Sequence, residues 1–497
     1  MRKHYLATLQ LSTIAKIYWL TTATACILVL LIETNTPALI PLLFATLFSC
    51  GLPLLLSGPS SLSLITIISI LHAVYFPYSV LINLIQYEVP YTQAPYWSST
   101  GNALILCIVA MIGLTIATLI INIFPGSNVE KLTRFKSLDS NQLLTSRSIN
   151  IILASAIILK ALIAIKTNTY FQIHASGADG WNEENALRFG FSGYFEYISI
   201  AGILLQIRRY YCTRKKSDLY AALACFLIPI LTFLPSGSRD LALRTSIPIA
   251  ILAILTFDRR LRPKQIATLL LTMSMLVILF QFLTIYRAVT RSNENYSRFQ
   301  IDQNLVTELA KAATDERAQR GIGTVLATRF GDFKIAGRIV DHFPDKENFR
   351  YFEDAVYWPA YILPSFIRPR TNDFDPRDTA TLSNRVGFYI GGKAEASHPA
   401  MLVGDAYSRF SWGGVFITFF LIGILYRLID TRININKLPH LIMFALCLTP
   451  FIKLTHYTIF NHLTFLTRTT LIAMAITTCI IFVSKIRFIP KTRHEKG

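Results

Sequence analysis

Apolar runs of about 20 residues recur from one end of this chain to the other, and nothing else in the sequence restricts its fold so severely. At 1.5 Å per residue such a run, wound as a helix, crosses the roughly 30 Å of a bilayer's hydrocarbon. Inside that layer each backbone N–H and C=O needs a partner from its own segment, which a helix supplies. Only 15% of residues are charged and 53% are hydrophobic, whereas a soluble domain carries about 25% charge. The expected fold is therefore all-α and polytopic. By the length criterion there are about twelve spans, near 17–32, 37–56, 63–85, 102–124, 148–166, 190–207, 218–235, 241–257, 265–285, 410–429, 439–459 and 469–485.

The chain divides into three parts. Residues 1–285 hold nine spans, 286–409 form one long polar segment expected to lie outside the membrane and to carry short helices, and 410–497 hold three more spans and a basic tail. Met1 to Lys16 is polar and amphipathic, and no small-residue cleavage site follows the first apolar run, so no cleavable signal peptide is expected. Within the long segment, Val325, Leu326, Phe330, Phe333 and Ile339 fall at helical spacing and read as a packing stripe. Residues 351–369, with Tyr357, Trp358, Tyr361 and Phe366, read as an irregular aromatic stretch at the membrane interface.

The net charge of +19 does not point to nucleic acid. Its positive residues cluster in alternate short loops: Lys131, Arg134 and Lys136; Arg208, Arg209 and Arg214; Arg259, Arg260 and Arg262; Arg427 and Arg432; then Lys485, Arg487 and Lys491. The intervening loops carry Glu33, Glu88, Asp179, Glu183 and Glu184. This alternation is the positive-inside pattern, with both termini cytoplasmic. The uncharged turn at 57–62 takes its side from parity alone. The long segment, the loop at 167–189 and the turn at 235–240 then share the external face.

Several arginines gather there. Arg239 opens span eight and Arg244 lies deeper in it; Arg287 and Arg291 follow span nine four residues apart; Arg368 and Arg370 lie in the long segment; Arg409 precedes span ten. An arginine at mid-depth in a membrane costs roughly 2.5–3.5 kcal/mol, so it faces a cavity or an anion more often than lipid, and a guanidinium forks onto phosphate without a metal. Ser236-Gly237-Ser238-Arg239-Asp240 places glycine and hydroxyls ahead of a helix N-terminus, the setting of an anion site. Glu395, His398 and Asp405 are candidates for the base that takes a proton from a hydroxyl. Neither the seven cysteines, none of them in the long segment, nor His174 and His342 show metal-ligand spacing, so no metal and no cofactor is expected.

The Pro235-Ser236-Gly237-Ser238-Arg239-Asp240 turn after a hydrophobic span resembles the Gly-Ser-Arg turn of Wzy-type O-antigen and oligosaccharide repeat-unit polymerases. The single long late loop is similar as well. Its closing Gly404-Asp405-Ala406-Tyr407-Ser408-Arg409-Phe410-Ser411-Trp412-Gly413 looks like that family's Gly-Glu-x-Tyr-x-x-Phe-Gly pattern, with Asp405 where Glu is usual and Ser411 interrupting the Phe-Gly pair. The resemblance implies a metal-independent glycosyltransferase of the bacterial inner membrane. It would move a growing glycan from undecaprenyl pyrophosphate onto a new lipid-linked unit on the periplasmic face. Arg239 first, with Asp405, His398 and Glu395, would act in catalysis; Ser238, Arg244, Arg287, Arg291, Arg368, Arg370, Arg409 and Tyr407 would bind the donor and acceptor, and a flippase and a chain-length regulator would be its partners. An O-antigen ligase and a flippase or transporter of lipid-linked glycans remain open alternatives.

Overall fold

The computed structural model describes residues 12–31, 39–58, 63–86, 95–123, 333–352, 401–434, 437–452 and 458–485, parts of 149–162 and 197–221, and Thr307, Lys311 and Ala355. Among the described residues the protein is helical and contains no strand. The elements are α1 (Thr13–Leu31), α2 (Leu39–Leu56), α3 (Leu64–Ala73), α4 (Ser79–Gln86), α5 (Pro95–Ile123), α6 (Phe333–His342), α7 (Leu402–Arg432), α8 (Leu438–Ile452) and α9 (Ile459–Lys485). Among the described residues four helical stretches are long and apolar enough to cross a membrane: Leu39–Leu56, Leu64–Ile82, Ser99–Ile123 and Leu402–Arg432.

The third of the expected spans is built as α3 and α4 joined by a π-turn, Val74–Tyr78, containing Pro77. Proline brings no N–H to the helical ladder, so the turn widens around it. Ser79 Oγ donates to the Val74 carbonyl, restoring a partner inside an apolar setting.

The heart of the fold is the α5–α7 crossing. A Cβ on Gly113 would lie 2.6 Å from the Phe416 carbonyl oxygen, and one on Gly423 would lie 2.7 Å from Ala117 Cβ. Small residues let two backbones approach this closely, which is how helices associate in lipid without a hydrophobic driving force between them. The matched pairs 113/416 and 117/423 step in the same direction, so the two helices run parallel. Helix α6 lies against both: Gly337 meets the Ser99 backbone, and Gly404 meets Ile339 and Ala336. Ser99 Oγ and Asn102 Nδ2 donate to the Asp341 carboxylate, the latter at 2.7 Å. The Phe333 and Ile339 positions of the helical stripe are buried in this core, which also holds Leu104, Met111 and Phe419. A second core joins α8 and α9 to Tyr197, Ile200 and Ile203.

At the far end of this crossing two charged residues of α7 hold the α2–α3 turn. Arg427 donates to Asn122 Oδ1 at 2.8 and 2.6 Å and to the Ser57 carbonyl at 3.0 Å. The buried Asp430 carboxylate accepts from Ser63 Oγ at 2.6 Å and from the Leu64 N–H at 2.9 Å. Ser63 makes no capping bond with its own side chain, so the carboxylate that complements the start of α3 comes from another helix. The uncharged turn at 57–62 is thereby flanked by residues bonded to the Arg427–Asp430 end of α7.

Candidate functional site

The opposite end of α7 carries the site. At 31 residues, an unbroken helix would be about 46 Å long, far more than a bilayer's hydrocarbon. The helix breaks instead at Phe410 (φ −139°, ψ 23°) and Ser411 (φ 58°, ψ −157°). A Cβ on Gly414 would lie 2.7 Å from the Ala406 carbonyl oxygen and 2.5 Å from Phe410 Cβ. Residues eight apart in a straight helix are separated by about 12 Å, so the two limbs are sharply bent against one another. The limb 412–432 is about 31 Å long and matches the hydrocarbon thickness. The break coincides with the expected 409/410 boundary, but the eight residues before it are not loop: 402–409 are helical, and each is buried.

Asp405 lies in this short limb with no exposed surface, and Arg409, one turn on, is 1% exposed. Arg409 Nε donates to both carboxylate oxygens, at 3.1 Å to Oδ1 and 3.0 Å to Oδ2. The Ile459 N–H at the start of α9 donates to Oδ2 at 2.7 Å. Arg350 Nη1 stands 3.9 Å from Oδ1. Arg409 also donates from Nη1 to the Tyr351 carbonyl at 3.0 Å and lies over the Phe460 ring with its Cζ 4.8 Å from the centroid. One carboxylate thus ties together α7, the segment after α6 and the first turn of α9. Charge-assisted hydrogen bonds of this kind are roughly twice as strong as neutral ones, and the guanidinium–ring contact adds about 0.5–2 kcal/mol.

Each Asp405 oxygen already accepts a hydrogen bond, so the chemistry the geometry gives this carboxylate is to fix guanidiniums in place. Two arginines on one carboxylate, Arg409 hydrogen-bonded to it and Arg350 at ion-pair distance, leave a net positive charge at this end of α7, a setting that attracts a phosphate-like anion.

An aromatic wall borders the cluster. Tyr407 stacks edge-on with Trp412 at 5.0 Å and with Phe349 at 6.1 Å, and its hydroxyl donates to the Phe343 carbonyl at 3.4 Å. Phe410 meets Tyr351 at 5.9 Å and Phe352 at 5.0 Å. The Arg350 N–H donates to the Ser408 carbonyl at 2.9 Å, joining this segment to α7 backbone to backbone. Tyr351 takes φ 43°, a left-handed conformation that costs a non-glycine residue on the order of 1–3 kcal/mol. The bonds on either side of it, at Arg350 N–H and the Tyr351 carbonyl, hold it there.

Of the residues singled out in the sequence, the structure brings together Asp405, Tyr407 and Arg409. Ser238, Arg239, Arg244, Arg287, Arg291, Arg368, Arg370, Glu395 and His398 lie outside the described residues. Sequence reasoning missed Arg350, the Ile459 N–H and Phe460. Arg350 sits inside Phe349-Arg350-Tyr351-Phe352, an aromatic–cationic run that was a readable signal; the α9 contribution was not, because 459 reads as the end of one span and 460–468 as a connection to the next. Helix α9 begins at Ile459, ten residues before the expected span at 469, while 453–457, in the expected span 439–459, lie outside the described residues. His462, which hydropathy places in that connection, is buried and bonded through Nε2 to the Tyr426 hydroxyl at 2.9 Å. Among the described residues no group of three or more His, Cys, Asp or Glu is placed to hold a metal ion.

Fold and site define a helical membrane protein with a buried Arg–Asp–Arg cluster at one end of a broken helix. Residues 186–436 match the family model described as "Domain of unknown function (DUF8712)", which is just over half of the 497 residues. The chain belongs to that family. Neither the curated proteins nor the solved structures yield a match.

Proposed function

We propose that this protein is a polytopic glycosyltransferase of the bacterial inner membrane that joins undecaprenyl-pyrophosphate-linked repeat units into O-antigen or a related surface polysaccharide. The observation that carries the reading is the pair Arg409 and Arg350 around Asp405, buried in the short limb of α7. Anionic pyrophosphate is the leaving group in such a transfer, and preorganised cations that meet its developing charge are the largest single source of rate. Asp405 orients the guanidiniums. Arg239, Arg244, Arg287, Arg291, Arg368 and Arg370 add positive charge on the same face, with Ser238 beside Arg239 as an anion-binding hydroxyl. Glu395 or His398 takes the proton from the acceptor hydroxyl, and Tyr407 packs behind the cluster. The chemistry needs neither metal nor cofactor.

In this reading about twelve helices cross the membrane, both termini are cytoplasmic, and the Asp405 end faces the periplasm. The far end, with Arg427, Arg432 and the α2–α3 turn, faces the cytoplasm, as the charge pattern asks. Lipid-linked glycans are donor and acceptor, and a flippase and a chain-length regulator act alongside.

The test is a gel of surface glycolipid from a strain lacking this gene. Collapse of a ladder to core plus one unit, restored by the wild-type gene and not by Arg409→Ala at equal protein level, is the expected result. An unchanged ladder refutes the reading. Core without glycan, with lipid-linked polymer accumulating, replaces it with a ligase; single units trapped on the cytoplasmic side replace it with a flippase.

A further inference from the structure

Beside the arginine cluster two aromatic side chains are left largely in the open. Tyr351 is 56% exposed and Phe352 67%, although the rings around them pack closely. Phe410 meets both edge-on, at interplanar angles of 62° and 63°, and Phe349 supports Tyr351 at 6.4 Å. The two exposed rings are therefore fixed in position while facing outward. Their backbone is fixed too. Arg409 Nη1 holds the Tyr351 carbonyl, Arg350 N–H holds the Ser408 carbonyl, and the Ala355 N–H closes a turn onto the Phe352 carbonyl at 2.9 Å. Strained backbone that its neighbours over-determine is a mark of a ligand clamp, and Tyr351, at φ 43°, is such a residue.

The geometry points to Tyr351 and Phe352 as a sugar-binding ledge, two bracketed rings tethered to Arg409 that stack on the pyranose adjoining the phosphate. This rests on the proposed function and adds to it the residues that recognise the glycan rather than its anionic anchor. The argument is one of complementary surfaces. An aromatic face carries negative potential and attracts the polarised C–H groups on one face of a pyranose. The adjacent guanidiniums select a ligand whose sugar is attached to an anion. An aliphatic chain offers no such pairing of ring and charge. Because the bond from Arg409 runs to the Tyr351 carbonyl, the ledge and the anion-binding group are held in one register.

The experiment measures binding of two probes to the full-length protein in lipid nanodiscs: undecaprenyl pyrophosphate, and the same carrier bearing one N-acetylglucosamine. The wild type is expected to bind the sugar-bearing probe more tightly. Tyr351→Ala and Phe352→Ala should each weaken that probe about two- to tenfold, while the bare carrier changes by less than about twofold. Tyr351→Phe and Phe352→Tyr, which keep a ring on the same backbone, should retain the preference and control for misfolding. Equal affinity of the wild type for both probes overturns the ledge while leaving the function standing. Equal loss of both probes in the alanine variants also overturns it, because the rings then serve as anchors to the bilayer. Failure of the wild type to bind either probe refutes the proposed function itself and the ledge with it.

Discussion

Removing the Asp405 carboxylate is the sharpest test of how the site is built. In Asp405→Ala, the buried Arg409 loses both of its bonds from Nε, Arg350 loses the anion 3.9 Å away, and the first N–H of α9 loses its acceptor at 2.7 Å. Breaking a buried ion pair by deleting one partner costs about 3–5 kcal/mol, because the surviving charge stays desolvated. Typical total stabilities are about 5–15 kcal/mol, so the variant should lose a large share of its folded-state margin. Asp405→Asn keeps the shape and one acceptor oxygen but turns a charge-assisted bond into a neutral one, and its loss should be smaller by roughly 1–2 kcal/mol. The double variant Asp405→Ala/Arg409→Ala removes the stranded guanidinium as well, so the two costs should fall short of additivity by about 0.5–3 kcal/mol. The measurement is the folded fraction of detergent-solubilised protein after a heating series, read by gel filtration. An Asp405→Ala protein that melts with the wild type, or a double variant whose losses simply add, would refute this account of the cluster.

Gly337→Ala should destabilise by about 1–3 kcal/mol in the same assay, because the new Cβ collides with the Ser99 backbone, whereas Gly413→Ala, with nothing within 4 Å of its Cβ, should be neutral or slightly stabilising. Ser411→Gly should raise stability by about 1 kcal/mol by relieving φ 58° at the break; a loss would mean that the Ser411 side chain holds the bend. Asp430→Ala should cost about 1–2 kcal/mol or more by uncapping α3, and it should raise the labelling rate of a cysteine placed at Ser60, which avoids the positive φ of Gly58; unchanged labelling would show that the turn is held by other contacts.

The parts of this molecule that were readable in its sequence are those set by local composition. Apolar length gave the helices Leu39–Leu56, Ser99–Ile123 and the membrane limb of α7, and the Phe333/Ile339 spacing gave α6. Asp405, Tyr407 and Arg409 were recognisable as a group because they fall together in the Gly404–Gly413 pattern, although that stretch read as the end of a loop and is a helix. Partners that arrive from distant segments left no comparable trace. Nothing near Ile459 announces that its N–H will meet a carboxylate 54 residues earlier, and nothing near Ser63 announces that Asp430 will cap the helix that follows it. Arg427 reads equally well as a topological charge, and only the packed structure shows it bonded to Asn122 and Ser57. The early start of α9 was hidden for a related reason: Asn461, His462 and Arg468 lower the local hydropathy, and the Tyr426 hydroxyl that accommodates His462 belongs to another helix.

The break at Phe410–Ser411 separates α7 into a stator and an arm. The long limb is clamped through Arg427 and Asp430 at its far end and pressed against α5 at Gly113 and Gly423. The short limb, 402–409, is about 12 Å long and carries both Asp405 and Arg409. A rotation of about 10° at that joint would carry Leu402 by roughly 2 Å and Asp405 by a little over 1 Å. The Asp405–Arg409 bond, which lies within this limb, would survive such a rotation, but the bonds from the Ile459 N–H to Asp405 and from Arg409 to the Tyr351 carbonyl, which leave the limb, would be lost. The short limb is thus fixed not by the helix it belongs to but by its bonds to α9 and to the segment after α6, so the position of the charged end reports on whether those two segments are in place.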